Sequence, residues 1–256
     1  MDTMQPYKEQ QDLTQHNLNM LGLGNTITGG AALEDTFSPS QVSDLSLWLD
    51  NGVGVTSAQW DDSSGNDNHI TQSTGGDQAT VADGGLQFEG DNNDHYDITT
   101  GIDIGGSNPW TVFIVLNMQS YDTQNCILGF SSSSNDRFLE MQSADQIRYR
   151  QTGTTAVLKF ASSGNFPLST KYLITITKDS SRNLVVRKNG SVLTQASSSG
   201  NPVASGVFVA NQFGGRSSGP DRDFDGTIYE FLLYEKLCSS TELTNIENHL
   251  ISEHGL

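Results

Sequence analysis

Basic residues are scarce in this chain. Lysine and arginine together number 13 against 30 aspartates and glutamates, for a formal net charge of −17. A nucleic-acid partner is not expected on that count, because phosphate binding needs clustered lysine and arginine. The excess acid suits a soluble surface that does not adhere to others, or a site that collects divalent cations. Cysteine is rare too. Cys126 and Cys238 are too few for a disulfide framework. Each sits in or beside an apolar run, where a buried free thiol is the default, and a single bridge between them stays open. Long apolar runs are missing. No stretch approaches 18 uninterrupted apolar residues, so membrane insertion is not expected. Met1 to Glu9 hold neither a basic n-region nor an apolar h-region, and a secretory signal is expected to be absent.

What is present reads as a β protein. Glycine reaches 26 residues, charged residues stand at 17%, and serine, threonine, asparagine and aspartate fill the gaps between apolar runs. With 256 residues there is ample material for a core. Residues 1–40 differ from the rest. They are polar and rich in glutamine and asparagine, with a short helix expected around Asp12 to Leu21. Gly22, Gly24 and Gly29-Gly30 then lead to Ser38-Pro39-Ser40. The segment has too little apolar surface for a core of its own. It reads as an arm that lies against its own domain or a neighbouring subunit, leaving 41–256 as the folded domain.

From Leu45 onward short apolar runs alternate with turn clusters. Leu45 to Leu49 is the first strand. Trp110 to Met118 is apolar in both phases, as in a strand buried on both faces. Cys126 to Phe130, Phe138 to Gln142, Gln146 to Arg150 and Ala156 to Phe160 follow. Tyr172 to Thr177 alternates apolar residues with threonine and reads as a half-buried strand. Asn183 to Gln195 reads as a hairpin turning at Asn189-Gly190, a pair suited to positive φ at both positions. Asn189-Gly190-Ser191 is formally a glycosylation sequon, but the turn reading is preferred. Gly206 to Ala210 and Thr227 to Tyr234 complete the strands. Ser239 and Glu242 fit a capping box, Leu243, Ile246 and Leu250 recur at helical spacing, and Gly255 supplies the stop.

Several of these segments together resemble the concanavalin A-like lectin/glucanase superfamily, in particular its laminin-G-like modules. They are Leu45-Ser46-Leu47-Trp48-Leu49-Asp50, Trp60 to Asn66 with Asn68-His69, Trp110 to Leu116, Tyr172 to Thr177 with its Asn-Gly hairpin, and Gly226 to Tyr234 with the helix ending at Glu253-His254-Gly255-Leu256. The resemblance covers roughly residues 42–256. It implies an all-β, two-sheet antiparallel jelly-roll sandwich with a short C-terminal helix, preceded here by an extended N-terminal arm. Function stays open, because such folds host many activities.

Some members of that superfamily hydrolyse glycans with Glu-x-Asp-x-x-Glu on one strand, where alternate side chains share a face. This sequence lacks the pattern. Glu140 stands alone in Phe138-Leu139-Glu140-Met141-Gln142, and Glu230 and Glu235 fall on opposite faces by a period of two. His249 and His254 read as helix-end residues. An enzyme is not expected. The best chemical candidate is a Ca²⁺ site at Asp221, Asp223 and Asp225, alternate carboxylates before Gly226, joined by Asp91, Asn93 or Asp94 from another loop. An EF-hand is ruled out, since Leu232 occupies its bidentate position. The competing reading makes these aspartates turn caps. Asp61 to Asn68 reads as a shaped turn and Trp60 as core. Trp110 and Tyr121 read as packing before sugar platforms.

The sequence-level expectation is a virion structural protein, a capsid decoration or a fibre or tail protein. It would be assembled in host cytoplasm, displayed on the virion surface, and held to other virion proteins or to copies of itself through residues 1–40. The alternative is a Ca²⁺-dependent carbohydrate-binding module, cellular or viral. Both readings allow glycans as partners.

Overall fold

The computed structural model describes residues 37–256 apart from residues 91, 123, 131–136, 152–154, 161–163 and 217–221. The helix expected around Asp12 to Leu21 and the arm up to residue 36 lie outside the described residues. In chain order the first strands are β1 (Leu45–Leu49), β2 (Gln59–Trp60), β3 (Ile70–Thr71), β4 (Thr80–Ala82), β5 (Gly85–Phe88) and β6 (Tyr96–Asp103). Then come β7 (Trp110–Met118), β8 (Cys126–Gly129), β9 (Phe138–Ser143), β10 (Gln146–Arg150), β11 (Ala156–Phe160) and β12 (Tyr172–Lys178). The last are β13 (Leu184–Lys188), β14 (Ser191–Val192), β15 (Gln195–Ser199), β16 (Val209–Phe213) and β17 (Gly226–Tyr234), followed by helix α1 (Ser240–His254).

These strands make two antiparallel sheets. One has 8 strands in the order β14-β13-β12-β7-β17-β5-β4, with β1 also pairing β17. The other has 9, in the order β15-β11-β10-β9-β8-β16-β6-β3-β2. Their inner faces enclose one apolar cluster that includes Trp60, Trp110, Tyr149, Phe213 and Phe231.

Helix α1 explains why the central strands are apolar in both phases. Val112, Ile114 and Leu116 of β7 point into the space between the sheets. Phe113 and Val115 point the other way, into a second cluster with Ile246 and Leu250 of α1. Burying each of those two helix residues contributes roughly 1.5–3 kcal/mol. The same helix corrects the expectation of a half-buried β12. Every residue of that strand is buried, because Leu173 sits in the cluster beneath the helix while Ile174 and Ile176 face the sheet opposite.

The helix begins where the sequence places it. Ser239 Oγ accepts the Glu242 amide at 3.3 Å, and the Ser239 amide donates to Glu242 Oε2 at 2.7 Å. It ends at Gly255, left-handed at φ 65°. Asn189 and Gly190, with φ of 44° and 77°, turn β13 into β14. β16 runs Val209–Phe213 where Gly206 to Ala210 was expected, and its register slips between Ala210 and Gln212. Phe37 meets the His249 ring edge-on at 5.9 Å, and the Tyr234 hydroxyl donates to the Pro39 carbonyl at 3.0 Å. Among the described residues no helix is long and apolar enough to cross a membrane.

Candidate functional site

Alternation along β9 and β10 sends Leu139, Met141, Ile147 and Tyr149 into the core. Phe138, Glu140, Arg148 and Arg150 are thereby turned to the outward face of the nine-stranded sheet. Register places Arg148 opposite Glu140 and Arg150 opposite Phe138. Glu140 is fully buried, and Arg148 Nη1 meets its Oε1 at 2.7 Å. From the segment after β16, Arg216 Nη2 lies 3.8 Å from Oε2 and donates to Gln124 Oε1 at 2.6 Å. The Phe138 ring holds both guanidiniums, with Arg216 Cζ at 4.2 Å and Arg148 Cζ at 5.3 Å from its centroid. Arg137, one residue before β9, lies over Phe130 at 4.6 Å. Guanidiniums held over rings and against one carboxylate are fixed in place before any ligand arrives.

Glu140 is solitary only along its own strand; the sequence signal for its surroundings is Arg148-x-Arg150, a period-two pair on the strand that β9 pairs with.

Of the expected calcium ligands, Asp221 and the helper Asp91 lie outside the described residues. Asp223 is fully buried. A Cβ at Gly215 would stand 2.6 Å from Asp223 Oδ1, 2.8 Å from His95 Cβ and 3.3 Å from the Asp94 carbonyl, so the two loops pack closely there, while the Asp94 carboxylate accepts from the Glu89 amide at 2.8 Å. Asp225 has its backbone tied down: its amide donates to Asn125 Oδ1 at 3.0 Å and its carbonyl accepts from Gln119. Carboxylate and carbonyl oxygens are the donors calcium prefers. Among the described residues, however, Asp223, Asp225 and Asp94 do not form a group of three converging carboxylates.

Such a group does form elsewhere, from Asp50 after β1, Glu230 of β17 and Glu253 of α1. Glu230 is fully buried and accepts from Trp48 Nε1 at 2.9 Å, with His254 Nε2 at 2.7 Å from its other oxygen. Burial, then the charges of Glu230 and Glu253, push the Asp50 carboxyl up to about 6. His254 therefore does more than end a helix. Glu235 has a separate partner, accepting from Ser46 Oγ at 2.5 Å.

The Asp61 to Asn68 stretch is the shaped turn expected. Asp62 accepts from the amides of Trp48, Ser64 and Asn68 at 2.9, 2.8 and 2.9 Å. Beside it a polar cleft of about 450 Å³ is lined by Asn66, Asn68, Thr100, Asp103 and Glu235. Trp60 and Trp110 are fully buried, and the Tyr121 hydroxyl donates to the Phe166 carbonyl, so packing accounts for all three. Both cysteines are buried free thiols. Lys178, unremarked in the sequence, is fully buried. Its ammonium donates to the carbonyls of Ile104, Gly105 and Gly106 at 2.7, 3.3 and 3.1 Å.

Two antiparallel sheets around one core, with a charged outward face, define a lectin-like β-sandwich. The family model described as the concanavalin A-like lectin/glucanases superfamily matches residues 88–244, and the chain belongs to that superfamily. No curated protein sequence matches it. Among solved structures it is similar to a Trypanosoma rangeli sialidase at TM-score 0.58 and 16% identity, over 80% of this chain and 32% of that one. The binding domain of Paraclostridial Mosquitocidal Protein 1 gives 0.59 and 15%, over 84% and 53%. The receptor binding domain of botulinum neurotoxin D gives 0.55 and 13%, over 84% and 54%. The chain thus spans about a third of the sialidase and about half of each toxin domain. At these identities the likeness shows the fold.

Proposed function

We propose that this protein is a recognition module that binds saccharide on the outward face of its nine-stranded sheet without turning it over. One arrangement carries that reading: Glu140, fully buried on an outward face, clasped by Arg148 at 2.7 Å and approached by Arg216 at 3.8 Å. Desolvating a carboxylate and its guanidiniums costs several kcal/mol per ion unless geometry returns it. Packing alone does not ask for such a group at a sheet surface, whereas a preset site does. Two structural neighbours bear the printed descriptions binding domain and receptor binding domain, which agrees with the reading. The test is a saccharide panel titrated against the purified chain, with release of reducing sugar followed in parallel. Binding without release is the expected outcome, and turnover would refute the non-catalytic half.

The setting we propose is the surface of a virion, as a capsid decoration or a fibre or tail protein attached through residues 1–40. The polar composition of that segment and the net charge of −17 support it, since such a charge keeps particles dispersed. Imaging of particles by electron cryomicroscopy should find the sandwich on their surface. A chain that never co-purifies with particles contradicts this setting.

A calcium-dependent variant is supported by the burial of Asp223 where its loop packs beside the Asp94 loop at Gly215. Asp223 and Asp225, with Asp221, would hold the ion, which would supply a fixed positive charge for sugar hydroxyls. Loss of binding in EDTA supports that variant, and unchanged binding removes it.

A further inference from the structure

Charge is distributed very unevenly along this chain. From residue 9 to residue 136 there is no lysine or arginine at all. The chain has seven arginines, and three of them, Arg148, Arg150 and Arg216, gather at the outward face of β9 and β10, while Arg137 just before β9 lies over Phe130. In a molecule with more than twice as many acids as bases, dispersal would have placed each arginine beside its own carboxylates. Here the guanidiniums stand beside one another instead.

Their partners differ. Glu140 is the carboxylate that Arg148 and Arg216 approach. Arg137 and Arg150 have no ion-pair partner among the described residues, and the Nε of each is buried without a hydrogen-bond partner. Arg150 projects from the same face as Arg148, two residues along β10 and opposite Phe138. The Phe138 ring beside them orients the guanidiniums of Arg148 and Arg216.

We infer that this face takes an anionic saccharide, its carboxylate or sulfate group held by Arg148 and Arg150. The inference rests on the saccharide-binding reading and names the ligand class for the same site. The planar guanidinium fork presents two parallel N–H groups and so matches a carboxylate or a sulfate better than a neutral hydroxyl. The chain's overall charge narrows the choice. A protein at −17 repels a long polyanion from a distance, so the fitting ligand is a short saccharide with one or a few isolated anionic groups.

The test is calorimetric titration of the whole chain with three probes: a galacturonic-acid trimer for carboxylate, a κ-carrageenan tetrasaccharide, which carries sulfate and no carboxylate, for sulfate, and maltotriose as the neutral control. Arg150→Gln is the diagnostic variant, because Arg150 has no carboxylate partner among the described residues whose burial would be uncovered by its loss. Lys171→Gln, which removes a cation lying over Tyr229 in the other sheet, controls for charge. Circular dichroism confirms that both variants fold. The expected result is that one anionic probe binds at least tenfold more tightly than maltotriose. Arg150→Gln should lose at least tenfold of that affinity, and Lys171→Gln should not. Which anionic probe binds decides between carboxylate and sulfate. If maltotriose binds as tightly as the better anionic probe, or Arg150→Gln changes nothing, this inference fails and the binding reading stands. If no saccharide binds, the binding reading fails and takes this inference with it.

Discussion

His254 Nε2 lies 2.7 Å from Glu230 Oε2, tying the last residue of helix α1 to the middle of strand β17. Both side chains are buried, at 4% and 0% exposure, so the contact is shielded from water. With Arg187, whose Nε meets Glu247 at 2.7 Å, it fixes the helix across the outer face of the eight-stranded sheet.

His254→Ala should therefore destabilise the sandwich. Glu230 keeps its bond from Trp48 Nε1, so the loss is that of one charged hydrogen bond, roughly 2–3 kcal/mol. For a domain of this size that corresponds to a fall in Tm of roughly 4–12 °C. Differential scanning calorimetry reads it, and an unchanged Tm would show that the helix end is not pinned there.

Asp50 faces Glu230, Glu253 and His254, and its carboxyl is pushed up to about 6 from an ordinary 3.8. Between those values the folded chain holds a proton that the unfolded chain releases. Stability from this group is therefore present below about pH 4 and is lost as pH rises through 6. Asp50→Asn should flatten that part of the stability profile and raise Tm at pH 7 above that of the parent. Parallel profiles for the two proteins across pH 4–7 would contradict the assignment.

Lys178 is the reverse case. Burial holds its ammonium down to about 8 from 10.5. In that window the unfolded chain holds more protons, so the contribution to stability grows as pH rises from 8 toward 10.5. Lys178→Met removes the rise and leaves the carbonyls of Ile104, Gly105 and Gly106 without their donor, at a cost of roughly 2–4 kcal/mol. Urea midpoints for parent and variant at pH 7 and pH 9.5 measure both effects.

Cys126 and Cys238 are buried and unbridged, and burial pushes the Cys238 thiol up to about 11. A thiol reagent at pH 8 should label neither in the folded protein and both after denaturation. Fast labelling of either in the native state would contradict its burial.

Much of the fold was legible in the sequence because local and tertiary signals agreed. Trp110 to Met118 matches β7 residue for residue, the Ser239–Glu242 box starts α1, and Asn189-Gly190 turns β13 into β14. The hairpin from β4 to β5 was equally legible. Asp83 and Gly84 adopt φ of 48° and 80°, the same two-residue device, although the flanking runs Thr80–Ala82 and Gly85–Phe88 are too short for alternation to mark them. By contrast β15, Gln-Ala-Ser-Ser-Ser, is exposed throughout. It is a strand because β11 lies beside it, in the register Leu158 to Ser198, and nothing in its own residues signals it.

The site was less legible for a physical reason. Glu140 acquires its meaning from Arg148, across a strand pair, and from Arg216, 76 positions later in sequence. A search for paired carboxylates passes such a site by, because its chemistry is that of one carboxylate among guanidiniums. The cage around Lys178 is built from backbone carbonyls, which carry no sequence signal at all.

The most direct measurement is an amide-shift map of the labelled chain titrated with a short acidic oligosaccharide. The account expects perturbations at Phe138, Glu140, Arg148 and Arg150 along β9 and β10. Perturbations confined to the cleft of Asn66, Asn68 and Asp103, or none at saturating ligand, would contradict the placement of the binding face.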